Sequence, residues 1–308
     1  MEIKKVLICG FGALGIALTY KLSKNACVKI LVDELRYEKY KKINYSFNGN
    51  KIKPCYILPN ENFTADLIII TTKFDGLKDI AKNIPNFINN KTIIITLTNG
   101  ISAEKYLKNK LKNGNVIYSY YLGDSVIKNN GNVINKDFGK IYIGDCNKET
   151  LTQIKALHKF FNQNNIQTEI SKNIIYSLWV KFGVNIVLNQ LSAISGLKVG
   201  DLKKCDLYKN YADKLLDEVL KIAEFKKIQP LNNLKKDVYK SINQVADDGI
   251  TSMLQDILQK RKTEVEFFSG EIINLAKIYN IKTPYNKEIY TKIKSIEQLY
   301  IKKKNTNT

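Results

Sequence analysis

A glycine-rich turn near the start of the chain constrains the fold more than any other feature. An apolar run at residues 5–9 ends in GFGALG, and a helical pattern and a second apolar run at residues 28–32 follow. A GxGxxG turn between a strand and a helix is typical of a dinucleotide-binding βαβ unit. The sequence therefore predicts an α/β domain with a parallel sheet at the N-terminus.

Each glycine of this turn has a physical role in such a site. Gly10 permits the tight turn, Gly12 lets a pyrophosphate approach the backbone, and Gly15 allows the helix to pack closely. The first turn of the helix then supplies N–H groups and the positive end of its dipole. The alternative is a purely structural turn. The predicted cofactor-binding residues of the turn are Gly10, Phe11, Gly12, Ala13, Leu14 and Gly15.

The residues after the second strand bear on the choice of cofactor. Asp33 stands where an acidic residue accepts hydrogen bonds from the adenosine ribose, which suits NAD. Arg36 and Lys39 could instead receive the 2′-phosphate of NADP. Asp33 could also be a simple cap at the strand end. At this point the sequence leaves the choice of cofactor open.

The alternation of strands and helices continues to about residue 171. Apolar runs at residues 65–73 and 91–101 predict two further buried strands. Ligands in open α/β sheets lie beyond the carboxyl ends of strands, where Lys73 and Asn99 stand, so both are candidate site residues. Shorter strands are predicted at residues 116–120, 133–135, 140–144 and 167–170, and helices at residues 76–87 and 150–162.

The rest of the chain is predicted to be helical. We expect a Rossmann-type parallel-sheet domain at residues 1–171, an all-helical domain at residues 172–302 and a disordered tail at residues 303–308. A cleft is expected between the two domains. The predicted helices of the second domain cover residues 177–196, 209–225, 231–241, 252–278 and 287–302.

The first of these helices is apolar around its whole circumference, so we expect it to be buried. Lys181, Asn185 and Asn189 nevertheless follow one another every four residues and form a polar stripe along it. A buried lysine must be paired, titrate unusually or face a polar cleft. The alternative is that its ammonium group extends to solvent while the asparagines hold loops. The stripe alone favours neither interpretation.

The predicted helix at residues 252–278 holds two further candidate positions. Thr251 or Ser252 can cap its start, which is a structural role. Glu264 faces an apolar surround and could act in a site. The alternative to a site role is that Glu264 is a solvated carboxylate, which pairs with Lys260 or Arg261 at helical spacing.

The net charge of +20 raises the question of nucleic-acid binding. Only Arg36 and Arg261 of the 49 basic residues are arginine, whereas base-reading surfaces favour the arginine fork. The lysines are spread along the chain. This distribution indicates a solvated surface that could attract a small anion, and no specific nucleic-acid site.

The cysteines and the apolar runs bear on location. The five cysteines are scattered without a CxxC pair, so we expect reduced thiols and no metal site. No apolar run approaches the roughly 20 residues of a membrane span, and no signal peptide precedes the first strand, so we expect a cytoplasmic protein and no membrane partner. The only histidine, His158, lies among surface lysines and is a poor candidate for a proton donor.

Several segments together resemble the ketopantoate reductases (2-dehydropantoate 2-reductases). They are GFGALG, TTK at Lys73, TNG at Asn99, WVKFGVNIVLNQLSAI and SMLQDILQKRKTEVEFFSGEI, in that family's order and spacing over nearly the whole chain. The last two segments are long and distinctive, which makes the match far more specific than the glycine turn alone.

The resemblance implies reduction of 2-dehydropantoate to pantoate with NADPH, on the route to pantothenate. It implies that Lys181 donates the proton and that Glu264 belongs to the catalytic site on the cofactor side. Lys73 then approaches the cofactor, and Asn99 contacts both cofactor and substrate. The substrate-binding residues that it implies are Asn99, Asn185, Asn189 and Ser252.

Two departures from the family pattern leave alternatives open. Some members have another substrate-binding asparagine after the buried helix, where this chain reads LKVGDL around Val199. Asp33 stands near the position where members that bind the 2′-phosphate often have an arginine, so NADH stays open beside NADPH. The alternatives are a reductase of another branched 2-oxo acid, or a non-catalytic NAD(P) sensor, which would not need the polar stripe. The expected partner is a small anionic 2-oxo acid, and a homodimer is an open alternative.

Overall fold

The chain folds into two units, Met1–Ile175 and Tyr176–Thr308, in a computed structural model. The structure describes residues 1–73, 76–123, 126–128, 131–135, 137–145 and 150–305. The first unit combines a mostly parallel sheet with helices, and the second is helical, so the predicted fold class is confirmed.

Two sheets and five helices make up the described part of the first unit. The strands are β1 (Lys5–Cys9), β2 (Cys27–Leu31), β3 (Tyr45–Phe47), β4 (Asn50–Ile52), β5 (Tyr56–Ile57), β6 (Leu67–Ile70), β7 (Ile93–Thr96), β8 (Asn115–Leu122), β9 (Val126–Lys128), β10 (Asn132–Ile134), β11 (Lys140–Gly144) and β12 (Gln167–Ile170). The helices are α1 (Ala13–Leu22), α2 (Glu34–Tyr40), α3 (Leu77–Asn83), which a 3₁₀ turn (Ile84–Phe87) extends, α4 (Ala103–Lys110) and α5 (Leu151–Gln163).

The larger sheet has the strand order β12-β11-β8-β7-β6-β1-β2-β5. The strands from β8 to β5 are parallel, and β11 joins β8 in antiparallel fashion. From β1, the strands β2 and β5 extend toward one edge of the sheet. The strands β6, β7 and β8 extend from the other side of β1 toward the opposite edge. The order of the sheet therefore reverses between β1 and β6, which is where open α/β sheets bind their ligands.

The continuous apolar runs of these strands fill two cores, one on each face of the sheet. In β1, Val6 and Ile8 belong to one hydrophobic cluster, while Leu7 and Cys9 belong to the other. Side chains of a strand alternate between faces, so a strand covered on both faces needs apolar residues at every position. Burial inside this core also raises the pKa of the Cys9 thiol.

A second sheet, of order β4-β3-β10-β9, was not predicted from the sequence. Of its four strands only β10 corresponds to a predicted strand, at residues 133–135. Each strand has three residues, which is too short for a clear periodic pattern. Aromatic contacts join this sheet to the larger one. Phe11, in the turn after β1, contacts Tyr45 of β3, and it also contacts Tyr40 and Tyr56. Helices α2 and α4 were also missed, because each offers few apolar positions.

The second unit is built from helices around a buried centre. Its helices are α6 (Ile174–Val184), α7 (Gln190–Ser195), α8 (Val199–Lys204), α9 (Asp206–Phe225), α10 (Leu231–Gln244), α11 (Ser252–Leu258), α12 (Ser269–Tyr279) and α13 (Pro284–Asn305). Helix α13 includes residues 303–305 of the predicted tail, and residues 306–308 lie outside the described residues.

The apolar helix is continuous from Ile174 to Ser195, but one turn of it is not α-helical. Residues Asn185–Asn189 form a π turn between α6 and α7, and Gly196 ends the helix with φ 73°. The prediction that no face is left for water was wrong. Ser177, Lys181 and Val184 are only partly buried and lie on one side of α6.

This helix also corrects the expectation that no segment is long and apolar enough to cross a membrane. It has 22 residues, and a window of 18 of them has a mean hydropathy of 1.2, which meets that criterion by length and composition. However, 61% of that window is buried inside the protein, and a core helix meets the same criterion.

The prediction of one helix at residues 252–278 was wrong. The chain leaves α11 at Leu258, passes through Lys260 with φ 51°, and forms a 3₁₀ turn (Val265–Phe267) before α12 begins. Two tertiary contacts hold this break. Arg261 pairs with Asp256 at 2.8 Å, and the backbone N–H of Thr263 donates to a carboxylate of α13.

Candidate active site

The glycine turn of the first unit has the geometry that its sequence predicts. Gly10 has φ 114°, and a Cβ there would lie 2.8 Å from the backbone nitrogen of Thr72. A Cβ on Gly15 would lie 2.1 Å from the carbonyl oxygen of Gly10. Both positions therefore need glycine, because the start of α1 packs directly against the end of β1 and the segment after β6.

Gly12 differs from the other two glycines because the space beside it is open. A Cβ there would meet no atom of the described residues within 4 Å, and its φ of −84° suits any residue. No side chain caps the first turn of α1, and no acidic residue stands in it. The N–H groups and the dipole of α1 therefore face open space beside Gly12, which fits the pyrophosphate of a dinucleotide.

The side chains of the turn point away from this open space. Phe11 is buried against the aromatic residues of α2, β3 and β5, while Ala13 and Leu14 pack on the same hydrophobic core. These three predicted cofactor residues can therefore contribute only their backbone to a ligand at the turn.

Lys73 and Asn99 emerge at the same edge of the sheet as the glycine turn. Strands β1, β6 and β7 run parallel in register, so that Cys9 pairs with Ile70 and Ile70 with Thr96. Lys73 is exposed and Asn99 is half-buried. The fold thus brings both residues to the carboxyl ends of neighbouring strands, as predicted.

Asp33 and Arg36 form a local pair at the end of β2. Asp33 is the N-cap of α2, where its carboxylate accepts the backbone N–H of Arg36 at 2.7 Å and the guanidinium of Arg36 at 2.9 Å. Asp33 therefore has a capping role, as the alternative proposed, but it caps the start of α2 and not the end of β2. Both side chains are at least half exposed, so the pair stabilises the fold little and can be redirected by a ligand.

In the second unit, two buried asparagines and a serine form a hydrogen-bonded line. The side-chain nitrogen of Asn189 donates to the oxygen of Asn185 at 2.8 Å, and the oxygen of Asn189 accepts Ser252 Oγ at 3.1 Å. Both asparagines are over nine-tenths buried. The side-chain nitrogen of Asn185 has no hydrogen-bond partner among the described residues.

Thr251 and Ser252, which the sequence could not separate, have different contacts. Thr251 is the N-cap of α11, and its side chain accepts the backbone N–H of Leu254 at 3.3 Å. Ser252 is exposed and turns its hydroxyl to Asn189. The structural role therefore belongs to Thr251, which leaves Ser252 available at the end of the polar line.

Lys181 lies one turn before Asn185 on the same helix and is half-buried. Glu264 does not lie on a helix, because it precedes the 3₁₀ turn in the break after α11. It is over nine-tenths buried, so the predicted alternative of a solvated carboxylate is wrong. Arg261, its suggested partner, pairs with Asp256.

Two residues near these positions were missed from the sequence. Glu297 of α13 is buried and accepts the backbone N–H and the hydroxyl of Thr263, at 2.7 and 2.6 Å, next to Glu264. Gln190 is fully buried at the end of the π turn. Its position in an apolar segment was a signal that could have been used, whereas nothing in the sequence marks Glu297.

His158 and the possibility of a metal site remain to be considered. His158 is on α5 beside Asn162. Within the described part of the chain, no group of three or more His, Cys, Asp and Glu side chains is arranged to hold a metal ion.

Comparison with known proteins relates both units to one family. Residues 6–148 match the family described as Ketopantoate reductase PanE/ApbA, and residues 173–297 match Ketopantoate reductase PanE/ApbA C terminal. The chain is 30% identical over 240 residues to the 2-dehydropantoate 2-reductase of Pyrococcus horikoshii, which covers 76% of each protein.

Solved structures show the same fold. The chain is similar to D-mandelate dehydrogenase with NADH and anilino(oxo)acetate, with a TM-score of 0.86 and 22% identity over 96% of this chain and 99% of that one. It is also similar to the dimeric ketopantoate reductase from Staphylococcus aureus, with a TM-score of 0.76 and 20% identity over 96% of this chain and 99% of that one. The family match over both units and the archaeal relative together establish that the chain belongs to the ketopantoate reductase family of oxidoreductases.

Proposed function

We propose that this protein reduces 2-dehydropantoate to pantoate with NADPH, in the synthesis of pantothenate and coenzyme A. The observation that carries the proposal is the line Asn185–Asn189–Ser252, with Lys181 one helical turn before it. Such a line offers amide and hydroxyl groups to the oxygens of a 2-oxo acid without adding negative charge.

Asn185 has a specific reason to bind an oxygen of the substrate. Its side-chain nitrogen is buried and has no partner among the described residues. A buried donor without a partner costs about 1–3 kcal/mol. A substrate hydroxyl or carbonyl oxygen that accepts this N–H would offset that cost, so the site favours a polyoxygenated 2-oxo acid.

Lys181 is proposed as the proton donor. A nicotinamide cofactor, when bound, supplies the hydride that attacks the ketone carbon. The ammonium group of Lys181 stabilises the negative charge that develops on the ketone oxygen and then gives that oxygen a proton. The apolar residues of α6 would exclude water, and this exclusion would strengthen the interaction between the ammonium group and the ketone oxygen.

The cofactor is proposed to be held at the glycine turn of the first unit. The open space beside Gly12 and the uncapped first turn of α1 support binding of its pyrophosphate. Lys73 and Asn99 would contact the nicotinamide half, and Arg36 would receive the 2′-phosphate of NADPH. Glu264 is proposed as a further catalytic residue, in keeping with the resemblance to the family.

A second candidate is an NADH-dependent reductase of another branched 2-oxo acid. The observation that favours it is Asp33, whose carboxylate can accept hydrogen bonds from an unmodified ribose but repels a 2′-phosphate. The similarity to a D-mandelate dehydrogenase solved with NADH is consistent with this alternative.

A spectrophotometric assay separates the two candidates. Purified protein is given 2-dehydropantoate, a simpler branched 2-oxo acid such as 2-oxoisovalerate, or phenylglyoxylate, each with NADPH and with NADH, and oxidation of the cofactor is followed. We expect the highest kcat/KM for 2-dehydropantoate with NADPH. A higher value for either of the other 2-oxo acids with NADH would favour the second candidate, and no oxidation with any pair would reject both.

Replacing the proposed proton donor tests the mechanism. Lys181→Ala should lower kcat by about a hundredfold or more, because general acid catalysis is lost. NADPH affinity, measured by fluorescence titration, should stay within about twofold of the wild type, since the glycine turn is untouched. Lys198→Ala, at an exposed lysine, is the matched control. Wild-type turnover in Lys181→Ala would reject the assignment.

Three further properties are proposals that rest on the same function. We propose a cytoplasmic enzyme without specific nucleic-acid or membrane partners, in keeping with a nicotinamide-dependent biosynthetic reaction. A homodimer is proposed because the similar protein from Staphylococcus aureus is dimeric. Sedimentation analysis of the purified protein tests the assembly.

A further inference from the structure

The π turn at Asn185–Asn189 sets the geometry of the candidate substrate site. A π turn pairs each N–H with the carbonyl five residues back, which is rare and widens the helix at one point. Asn185 and Asn189 are the first and last residues of this turn, and their side chains hydrogen-bond to each other at 2.8 Å.

Gln190, the residue that follows the turn, is bonded at both ends of its side chain. Its side-chain nitrogen donates to the carbonyl oxygen of Ile186 at 2.9 Å. Its side-chain oxygen accepts the backbone N–H of Ser269, the first residue of α12, at 3.2 Å. Gln190 is fully buried, so neither group can exchange these partners for water.

These contacts favour the π turn over a regular α-helix. In an α-helix the Ile186 carbonyl would accept the backbone N–H of Gln190. In this structure that N–H donates to the carbonyl oxygen of Val187, three residues back, so the π turn ends in a 3₁₀-type bond. The side-chain amide of Gln190 donates to the oxygen of Ile186 in its place. The side chain thus takes the acceptor that the α-helical register would use.

The other end of Gln190 is fixed by a buried polar chain. Ser269 Oγ donates to the side-chain oxygen of Asn286 at 2.8 Å, and the side-chain nitrogen of Asn286 donates to Glu218 at 2.8 Å. Ser269, Asn286 and Glu218 are all buried. The oxygen of Gln190 therefore caps the start of α12, which contacts with α9 and α13 hold in place. If the π turn changed its conformation, the start of α12 could not move with it.

We propose that Gln190 is a positioning residue, which holds the π turn in register and thereby keeps Asn185 and Asn189 aligned for the 2-oxo acid. This inference rests on the proposed function for its kinetic consequence. Gln190 does not touch the substrate in this arrangement. It acts through the two asparagines, so its loss should weaken binding of the 2-oxo acid and leave binding of the cofactor intact.

The test compares two variants that each remove buried hydrogen bonds. Gln190→Met keeps the side-chain volume but cannot bond Ile186 or Ser269. Ser269→Ala removes the hydroxyl contact with Asn286 and keeps the backbone N–H that Gln190 accepts. The readouts are KM for the 2-oxo acid, KM for the cofactor, kcat, the thermal midpoint and amide hydrogen exchange of residues 185–191.

We expect Gln190→Met to raise KM for the 2-oxo acid by about tenfold or more, with KM for the cofactor within about twofold of the wild type. Amide exchange should become faster at residues 185–191 and stay unchanged in α9. Ser269→Ala should lower the thermal midpoint and raise KM for the 2-oxo acid by less than Gln190→Met does, because the backbone N–H that bonds Gln190 remains. A folded Gln190→Met protein with wild-type KM and exchange would overturn the proposal, as would an equal rise of KM in Ser269→Ala.

A second variant covers the case in which Gln190→Met does not fold. Gln190→Asn keeps the amide but is one methylene too short to reach both partners, and the same changes in KM and exchange are expected. If the wild-type protein reduces none of the 2-oxo acids, the proposed function fails while the exchange experiment still tests the role of Gln190. If the wild type is active and exchange of residues 185–191 does not respond, the role of Gln190 fails alone.

Discussion

At the scale of single residues, Asn189 connects three groups in the candidate substrate site. Its oxygen accepts both Ser252 Oγ at 3.1 Å and the backbone N–H of Met253 at 3.3 Å, while its nitrogen donates to Asn185. The start of α11 is therefore attached to the π turn through one amide side chain. A substrate that binds Asn185 extends a network that is already ordered.

Thr251 and Ser252 should separate stability from substrate binding. Thr251→Ala removes an N-cap and should lower the free energy of unfolding by about 0.5–2 kcal/mol without changing KM. Ser252→Ala removes a hydroxyl proposed to contact the substrate and should raise KM for the 2-oxo acid by about tenfold, with little loss of stability because Ser252 is exposed. Urea unfolding and steady-state kinetics measure the two effects. The assignment is wrong if Ser252→Ala keeps the wild-type KM.

At the scale of elements, the turn between β1 and α1 needs glycine for two different reasons, close packing at Gly15 and open space for a ligand at Gly12. Gly15→Ala should lower the thermal midpoint, because its Cβ would lie 2.1 Å from the oxygen of Gly10. Gly12→Ala should fold normally, because its Cβ meets no atom in the described part of the chain within 4 Å, but should weaken cofactor binding by about tenfold or more because the methyl group occupies the space of the pyrophosphate.

Differential scanning calorimetry and fluorescence titration with NADPH check these two changes. The pair is its own control, since both variants add one methyl group to the same turn. Unchanged cofactor affinity in Gly12→Ala would contradict a pyrophosphate site beside Gly12.

The break between α11 and α12 depends on Glu297 of α13. Burial by itself would raise the pKa of its carboxyl group, but hydrogen bonds from Thr263 and Lys294 outweigh burial and hold the pKa below its usual value of 4.5. The folded state therefore favours the ionised form. This contribution to stability is present above pH 4.5 and is lost as the pH falls through the lower pKa of the folded state.

Glu297→Gln should accordingly lower the free energy of unfolding at neutral pH, and the difference from the wild type should shrink as the pH falls below 4.5. Urea unfolding of both proteins across this pH range measures the difference. A difference that stays constant with pH would show that the charge of Glu297 does not stabilise the break.

At the scale of the whole molecule, the net charge of +20 should act on the rate of substrate capture. Both proposed ligands are anions, and a positive field raises their rate of encounter. Charges on the surface are screened over about 10 Å at 0.1 M ionic strength. We expect kcat/KM for the 2-oxo acid to fall roughly severalfold between low and high salt, with kcat nearly constant.

A sodium chloride series measures this dependence, and the thermal midpoint over the same series controls for unfolding. A kcat/KM that does not change with salt would mean that the lysines act only as a solvated surface.

The parts of the fold that could be predicted from the sequence are those governed by local pattern. The apolar runs of β1, β6 and β7 reveal buried strands, and the GxGxxG turn reveals its site, because backbone geometry at Gly10 and Gly15 admits no other residue. The stripe of Lys181, Asn185 and Asn189 is also visible as spacing. These features depend on residues that are close to one another in the sequence.

The sequence by itself determined the α/β class of the first unit, the helical class of the second and the family of the chain. Only the tertiary structure decided the π turn, the break before Glu264 and the separate roles of Thr251 and Ser252. The physical reason is that side chains far apart in sequence make these features: Ser269 bonds Gln190, and Glu297 bonds Thr263. Such contacts override local helical propensity, and no periodic pattern records them.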